Sequence, residues 1–514
     1  MPVLRLRSTV LGMALAAALS GGMVSAPAFA APATAGIDIP YTQFTLPNGL
    51  TVIGHEDHKA PIVAVNLWYH VGSKDEPAGR SGFAHLYEHL MFQSSEDHKG
   101  EFFTPFEQAG ATDQNGTTNN DRTNFFENVP TTALDMALWM ESDRMGHLLG
   151  GIDQAALDEQ RGVVQNEKRE GENQPYGQLE EVQAHALYPA GHPYHHTVIG
   201  SMNDLDAASL NDVKTWFRTW YGPNNAVLVL AGDIDAKTAK EKVAKYFGDI
   251  PAGPSMAQPK VDVAPLAQAG RTVLEDKVPQ PLVQRVWNVA QAGTREADEL
   301  DLFAQVLGGA ADSRLDKRLV HEDKLADSVS TYNSSSQLSS NFAITAMVKQ
   351  GVDPARVEAI IDEELQRLLK DGPTDAELAQ AKTVYRARFI RGIERIGGFG
   401  GKADILAGCE IFEGNPGCYR DTLATVADAT PAQIRDIGRK WLGHPSHTFV
   451  VMPGKRTALA EDPSVKAAAM VLPPVDPKYR TEPTTVDRGK GVPAVTTFPE
   501  LKFPALQRAK LANG

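Results

Sequence analysis

Two domains of one mixed helix-and-strand type are what this sequence predicts, and three observations carry the prediction. At 514 residues the chain is too long for a single hydrophobic core, so two or three domains are expected. Ser209–Leu230 (SLNDVKTWFRTWYGPNNAVLVL) aligns without gaps on Thr430–Val451 (TPAQIRDIGRKWLGHPSHTFVV), at an offset of 221. Both copies carry a capping Ser or Thr, a helix with Trp220 or Trp441 near its end, a Gly222 or Gly443 stop and a following strand, which is the signature of a repeated fold. Between them runs a Pro- and Ala-rich stretch, Pro251-Ala-Gly-Pro-Ser-Met-Ala-Gln-Pro259, continuing loosely to Gly270, with the composition of a linker.

In chain order, residues 1–30 read as a secretory signal peptide. Arg5 and Arg7 precede an apolar run from Val10 to Leu19, and Ala28-Phe29-Ala30 offers small residues for cleavage. The apolar run is too short for a stable membrane span. Tyr41–Ile53 then reads as two strands around a Pro-Asn-Gly turn. Ile62–Tyr69 is a β-forming run, Gly82–Phe92 a helix, and Thr123–Val129 a short aromatic strand. Asp153–Arg169 is helical with Leu157, Val163 and Val164 facing inward, and Ala226–Leu230 is a buried strand. The boundaries expected are a first domain at 37–252, a linker at 253–270, a homologous domain at 271–455, and a Pro-rich tail or linker at 456–514.

Composition narrows the function. Hydrophobic residues make up 42% and charged residues 22%, as in a soluble globular protein. The formal charge of −14 becomes −16 once Arg5 and Arg7 leave with the signal peptide, so the chain lacks the basic surface that nucleic acid demands. Cys409 and Cys418 are the only cysteines and flank a turn-rich stretch with Gly414, Asn415, Pro416 and Gly417. In an oxidising compartment that spacing suits a local disulfide. A periplasmic address is expected.

The chemistry concentrates in His85-Leu86-Tyr87-Glu88-His89. On a helix, positions 85 and 89 project from one face, so two imidazoles can grip one metal ion. Glu88 shares that stripe, where a carboxylate can reach a water at the metal. The order His-x-x-Glu-His is the inverse of the commoner zinc-protease pattern. Catalytic zinc takes a third protein ligand from elsewhere, and the helix at 157–170 offers Glu159, Glu167 and Glu170, which spacing alone does not separate. Glu299–Leu307, the counterpart helix of the second domain, carries Leu, Phe and Val where imidazoles would be needed. The first domain is therefore expected to do the chemistry.

Two other clusters invite a functional reading. Gly191-His-Pro-Tyr-His-His196 could hold a metal through His192, His195 and His196, but it lies in a Pro/Gly loop without helical spacing. Gly397-Gly-Phe-Gly-Gly401 with Lys402 lacks both the ending and the preceding strand of a phosphate loop, and reads as a flexible break between two helices.

His85–His89, followed by Glu167, resembles the pitrilysin family of inverted-motif zinc peptidases, which includes insulin-degrading enzyme and the mitochondrial processing peptidase. The resemblance extends over Leu46–Val52, Gly82–Phe92, Asn115–Thr118, Thr123–Phe126, Arg161–Glu167, Ile199-Gly200, Tyr221–Ala226 and Gly232-Asp233. It implies an α+β fold in which each domain packs a mostly antiparallel sheet with helices. It implies one Zn2+ per chain held by His85, His89 and Glu167, with Glu88 as general base, and a substrate strand pairing with an edge strand at Asn115, Gly116, Thr117 and Thr118. The function expected is an exported zinc endopeptidase hydrolysing peptides or small unfolded proteins by metal-activated water. The alternative is a non-catalytic subunit that binds peptides or stabilises a partner.

One departure bears on assembly. The family's substrate-gripping Arg and Tyr, seven residues apart in a non-catalytic domain, fall here on Val320 and Asp327. Leu511-Ala-Asn-Gly514 resembles Leu46-Pro-Asn-Gly49, the opening turn of the first domain. The expectation is that the chain is the amino-terminal half of a longer four-domain peptidase, or pairs with a separate half or with a second copy of itself. The mature chain carries no membrane span and binds no nucleic acid on this reading.

Overall fold

Alternation along Ile62–Tyr69 shows how the first sheet is built. Val63, Val65, Leu67 and Tyr69 enter one core, while Ala64 and Trp68 enter another on the opposite face, as the period of two in a strand requires. A strand covered on both faces reads as a continuous apolar run. The computed structural model describes residues 37–263, 265–461, 465–500 and 505–513; the predicted signal peptide, 1–30, lies outside them. No helix among the described residues is long and apolar enough to cross a membrane.

The first domain runs β1 (Thr42–Thr45), β2 (Thr51–Glu56), β3 (Ile62–Tyr69), α1 (Phe83–Leu90), α2 (Phe103–Gln108), β4 (Thr112–Thr118), β5 (Thr123–Pro130), α3 (Leu134–His147), α4 (Gln154–Asn173), α5 (Leu179–Leu187), α6 (Met202–Ala207), α7 (Leu210–Trp220), β6 (Ala226–Gly232) and α8 (Ala236–Phe247). Its sheet is ordered β1-β2-β6-β3-β5-β4, antiparallel throughout except for the parallel pair β2 and β6. β4 is therefore a free edge.

The second domain repeats the plan: β7 (Gly270–Asp276), β8 (Leu282–Val289), α9 (Arg295–Leu307), β9 (Ala326–Ser334), β10 (Ser340–Val348), α10 (Pro354–Asp371), α11 (Asp375–Gly392), α12 (Lys402–Glu413), α13 (Tyr419–Asp428), α14 (Pro431–Leu442) and β11 (His447–Pro453). The sheet order is β7-β11-β8-β10-β9, again with a single parallel pair, β7 and β11. The pairing of Tyr69 with Ala226 in the first sheet is repeated by Val286 with His447 in the second. The mixed, mostly antiparallel α+β architecture expected from the sequence is the one observed.

Each domain lends a helix to the other. α12 lays Ala403, Leu406 and Ala407 on Ile53, Val227, Val229 and Ala231 of the first sheet. In return, Leu187 of α5, with Tyr188 and Tyr194 just beyond, packs on Val286, Ala343 and Phe449 of the second. A disulfide joins Cys409 to Cys418 inside the first of these contacts.

Two expectations need correction. Val163 does not face inward on α4; it is 43% exposed, because the buried stripe of that helix is Leu157, Gln160, Val164 and Lys168. The glycine-rich break before α12 is a packed turn. A Cβ on Gly397 would lie 2.1 Å from Asn128 Oδ1 and 2.8 Å from the Ala64 Cβ, so the glycine permits close approach to the first sheet.

The tail at 456–514 is partly structured. The Arg480 amide donates to the Pro47 carbonyl at 3.1 Å and that of Glu482 to Gly248 at 2.8 Å. Arg488 is buried over the Trp139 ring and reaches Ser142 Oγ at 3.0 Å and Asp143 at 3.5 Å. Residues 480–488 thus strap the far end of the chain to the first domain.

Candidate metal centre

α1 is amphipathic in a way that leaves its functional side chains one face. Phe83, Ala84, Leu86, Tyr87 and Leu90 enter the core, and His85, Glu88 and His89 remain on the open side. The two imidazole rings stand 4.8 Å apart, nearly perpendicular. α4 crosses α1 and brings Glu167, whose Oε2 is 3.4 Å from His89 Nε2 and 3.8 Å from His85 Nε2. Ligand atoms of all three lie within 4.8 Å of one another. A tetrahedral ion with bonds of ~2.0–2.1 Å separates its ligands by roughly 3.3 Å, so this donor set fits zinc. Two imidazoles and a carboxylate are also the ligand chemistry of hydrolytic zinc sites. Glu159 and Glu170 are exposed on other parts of α4, so of the three glutamates left open by spacing, Glu167 is the one that stands with the two imidazoles.

The protonation states suit ligation. Burial, reinforced by the neighbouring His89, pulls His85 down to about 4, leaving the ring neutral with a lone pair to donate. The hydrogen bond from His89, working against partial burial, holds the Glu167 carboxyl below its usual range. Glu88 moves the other way. Burial raises it, against a hydrogen bond from Thr118, and its Oε2 is buried without a partner among the described residues. A buried acceptor left unpaired is costly, which marks it as a group that awaits a proton or a ligand.

These residues open on a cavity of about 400 Å3 lined by His85, Glu88 and Glu167 on one side and by Gly116, Thr117 and Thr118 of β4 on another. Thr197–Ile199 forms a third wall, and Lys168, tied to Glu172 and Glu181 at 3.2 Å each, neutralises part of an acidic rim. Of the four predicted substrate-contacting residues, Asn115 lies outside this wall and uses its own Oδ1 to accept the Gly116 amide at 2.9 Å. Gly116 is buried, and a Cβ there would meet Phe92 at 2.6 Å.

The histidine-rich loop holds no metal set. His195 Nδ1 lies 2.7 Å from the Tyr188 carbonyl, and His192 Nδ1 accepts the Tyr194 amide at 3.0 Å. His196 reaches Glu76. Glu76 and Arg122 around the site went unrecognised in the sequence, and Thr118 was expected only as a substrate contact, without its influence on Glu88. Arg122, stacked 5.0 Å from the Trp68 ring, donates to the Thr117 carbonyl at 3.0 Å and so stiffens β4. All three lie in loops or at an edge, where no periodicity reports a partner.

The second domain carries a disabled copy. α1 and α9 end on equivalent residues, Leu90 and Leu307, once the two strand pairings are superimposed. His85, Glu88 and His89 then correspond to Leu302, Gln305 and Val306. The capping residues of α4 and α11, Asp153 and Thr374, keep the repeat offset and set Arg388 opposite Glu167. Every ligand position has been replaced, one by a cation.

Comparisons with known proteins agree with this division. Residues 51–199 match the family model described as insulinase (peptidase family M16), and residues 207–385 match the one described as the peptidase M16 inactive domain. The zinc protease PqqE of Helicobacter pylori is 31% identical over 361 residues, spanning 68% of this chain and 79% of that relative. An uncharacterized zinc protease of Streptomyces coelicolor is 25% identical over 80% of this chain and 89% of its own length. Among solved structures, a protease from Helicobacter pylori superimposes with a TM-score of 0.75 at 27% identity, covering 80% of this chain and 99% of that one.

Proposed function

The chain belongs to peptidase family M16, the insulinase family, and from that membership and the geometry of the site we propose that it is a zinc-dependent endopeptidase acting on peptides or small unfolded proteins. The observation that carries the reading is the convergence of His85, His89 and Glu167 within 4.8 Å, beside a buried carboxylate with a free oxygen. His85, His89 and Glu167 would hold the ion. When bound, zinc supplies the positive charge that acidifies a water and polarises a carbonyl.

The remaining work falls to the chain. Glu88 takes the proton of the attacking water on its carboxylate and returns it to the leaving amine. Thr118, across the cavity on β4, opposes the rise that burial imposes on that carboxyl. The free edge of β4 offers unpaired backbone groups beside the cavity, and a substrate laid along it as an added strand would be read by conformation more than by sequence. Arg122 keeps the edge straight through Thr117. The acidic rim favours substrates without a run of carboxylates.

Glu88→Gln tests this reading. The variant is expected to bind zinc and peptide normally while hydrolysis of an unfolded peptide library, mapped by mass spectrometry, falls at least ~10²-fold, the usual scale of general-base catalysis. Near-normal cleavage would remove Glu88 from the mechanism. Export to the periplasm, supported by the composition of 1–30, and closure of a chamber by a second half or a second copy are part of the same proposal. Light scattering of the active protein decides the latter, because an active monomer would defeat it.

A further inference from the structure

Glu76 takes no part in the chemistry above, yet its side chain has no exposed surface. It lies in the loop between β3 and α1. Its Oε2 accepts the Gly82 amide at 2.9 Å and its Oε1 the Ala84 amide at 2.7 Å. His196 Nε2 stands 2.9 Å from the same Oε2 and 3.1 Å from the Ser73 carbonyl. Both neighbours accept, so Nε2 carries the hydrogen.

The metal-binding helix needs this help. The first amides of any helix lack partners within it, and the N-cap of α1 is Gly82, with φ 89 and no side chain to cap with. Its first turn contains no acidic residue. A helix of eight residues does not hold itself. Glu76 therefore caps α1 from six residues upstream, and a carboxylate at a helix N-terminus is also favoured by the helix dipole. His85 is the third residue of α1 and sits inside the capped turn, whereas His89 sits near the other end. The chain carrying His196 continues into the Thr197–Ile199 wall of the cavity. Just beyond, Gly200 packs so closely on Ser81 and Gly82 that a Cβ there would lie 2.4 Å from the Gly82 nitrogen.

We propose that the buried Glu76–His196 pair is a positioning device for the metal centre: it fixes the first turn of α1 and thereby the reach of His85 towards an ion shared with His89 and Glu167. Neither residue touches substrate or ion. The inference rests on the metal reading of those three ligands, and its test separates the two. Zinc affinity is measured by competition with a chromogenic chelator on the full chain, together with the visible spectrum of the cobalt-substituted protein and the melting temperature of the zinc-free form.

Glu76→Gln turns an N–H2 towards amides that need an acceptor, and His196→Phe removes the donor. Both are expected to weaken zinc binding ~10–100-fold, the scale seen when outer partners of ligands are lost. The cobalt spectrum changes with them, and kcat falls while KM holds. His196→Gln keeps an N–H donor and is expected to restore most of the affinity. Arg488→Met, which empties a buried site in the tail strap, lowers the melting temperature and leaves zinc affinity unchanged. Wild-type affinity and spectrum in folded Glu76→Gln and His196→Phe overturn the proposal, as does an equal loss in Arg488→Met. If Glu76→Gln fails to fold, the contrast between His196→Phe and His196→Gln decides. A wild-type protein that binds no zinc removes the metal reading and this inference together.

Discussion

Glu167 illustrates what a single residue owes to its surroundings. Its side chain is 53% exposed, as ordinary helix-surface carboxylates are, and only the crossing of α4 over α1 brings it within reach of both imidazoles. Glu159 and Glu170 share the helix and lack the crossing. Glu167→Ala is accordingly expected to lower zinc affinity by more than ~100-fold, beyond what outer partners contribute, while Glu159→Ala and Glu170→Ala leave it unchanged. Isothermal titration with zinc on the three variants checks this; an equal loss in all three would mean a general effect of charge. Glu88 was legible at the same scale, because four residues on one turn specify each other's direction whatever else the chain does. The influence of Thr118 on the Glu88 carboxyl was not, since it arises only after β4 has been placed on the edge of the sheet beside α1.

At the scale of elements, the exchange of α5 and α12 between domains explains why strands such as Ile62–Tyr69 and Ala226–Gly232 are apolar on both faces. Neither sheet has a solvent face where its partner's helix lies. The disulfide between Cys409 and Cys418 ties α12 to the start of α13 at that contact. Closing a loop of this size limits the unfolded chain by about 3 kcal/mol in the chain-entropy account. A Cys409→Ala/Cys418→Ala variant should unfold at a lower urea midpoint, with an unfolding free energy smaller by that order and the zinc affinity of the first domain retained. An unchanged midpoint would show that packing of Leu406 and Ala407 holds the helix without the bond. Element positions were largely readable from period and caps, and the repeat offset even preserved the N-caps of α4 and α11. The partner that each helix face seeks was not readable, because an apolar stripe states that it must be buried and not by whom.

Across the whole molecule, Asp57 and Lys402 join the two halves at 2.9 Å, one from the loop after β2 and the other from the start of α12. Burial works to raise the Asp57 carboxyl, but Lys402 and the Lys59 amide hold it at about 2. A carboxyl depressed in the folded state stabilises above its unfolded value of 3.8, and that contribution is lost as pH falls through the folded value. Lys402→Met should therefore be less stable than the wild type at pH 5–7, and the gap should close as the pH falls from about 4 to about 2. Urea midpoints across that range check it, and a gap that persists at pH 2 would mean the pair acts through packing. The strap through Arg488 adds a second tie between the chain's end and the first domain. Its Pro-rich composition suggested a free tail or linker, since nothing in local sequence marks an arginine that will be buried over a tryptophan 349 residues earlier.

The amino-acid sequence by itself determined the His-x-x-Glu-His turn, the repeat of two α+β domains and the absence of that turn from the second, because each depends on neighbours a few residues apart or on a pattern repeated at fixed offset. Tertiary structure alone decided which glutamate stands with the two imidazoles, that His196 holds the Glu76 carboxylate capping their helix, and that each sheet is roofed by the other domain. The donor set, the Glu76–His196 pair and the roofing helices join residues from 78 to more than 300 positions apart, and they exist only once packing has brought separate surfaces together.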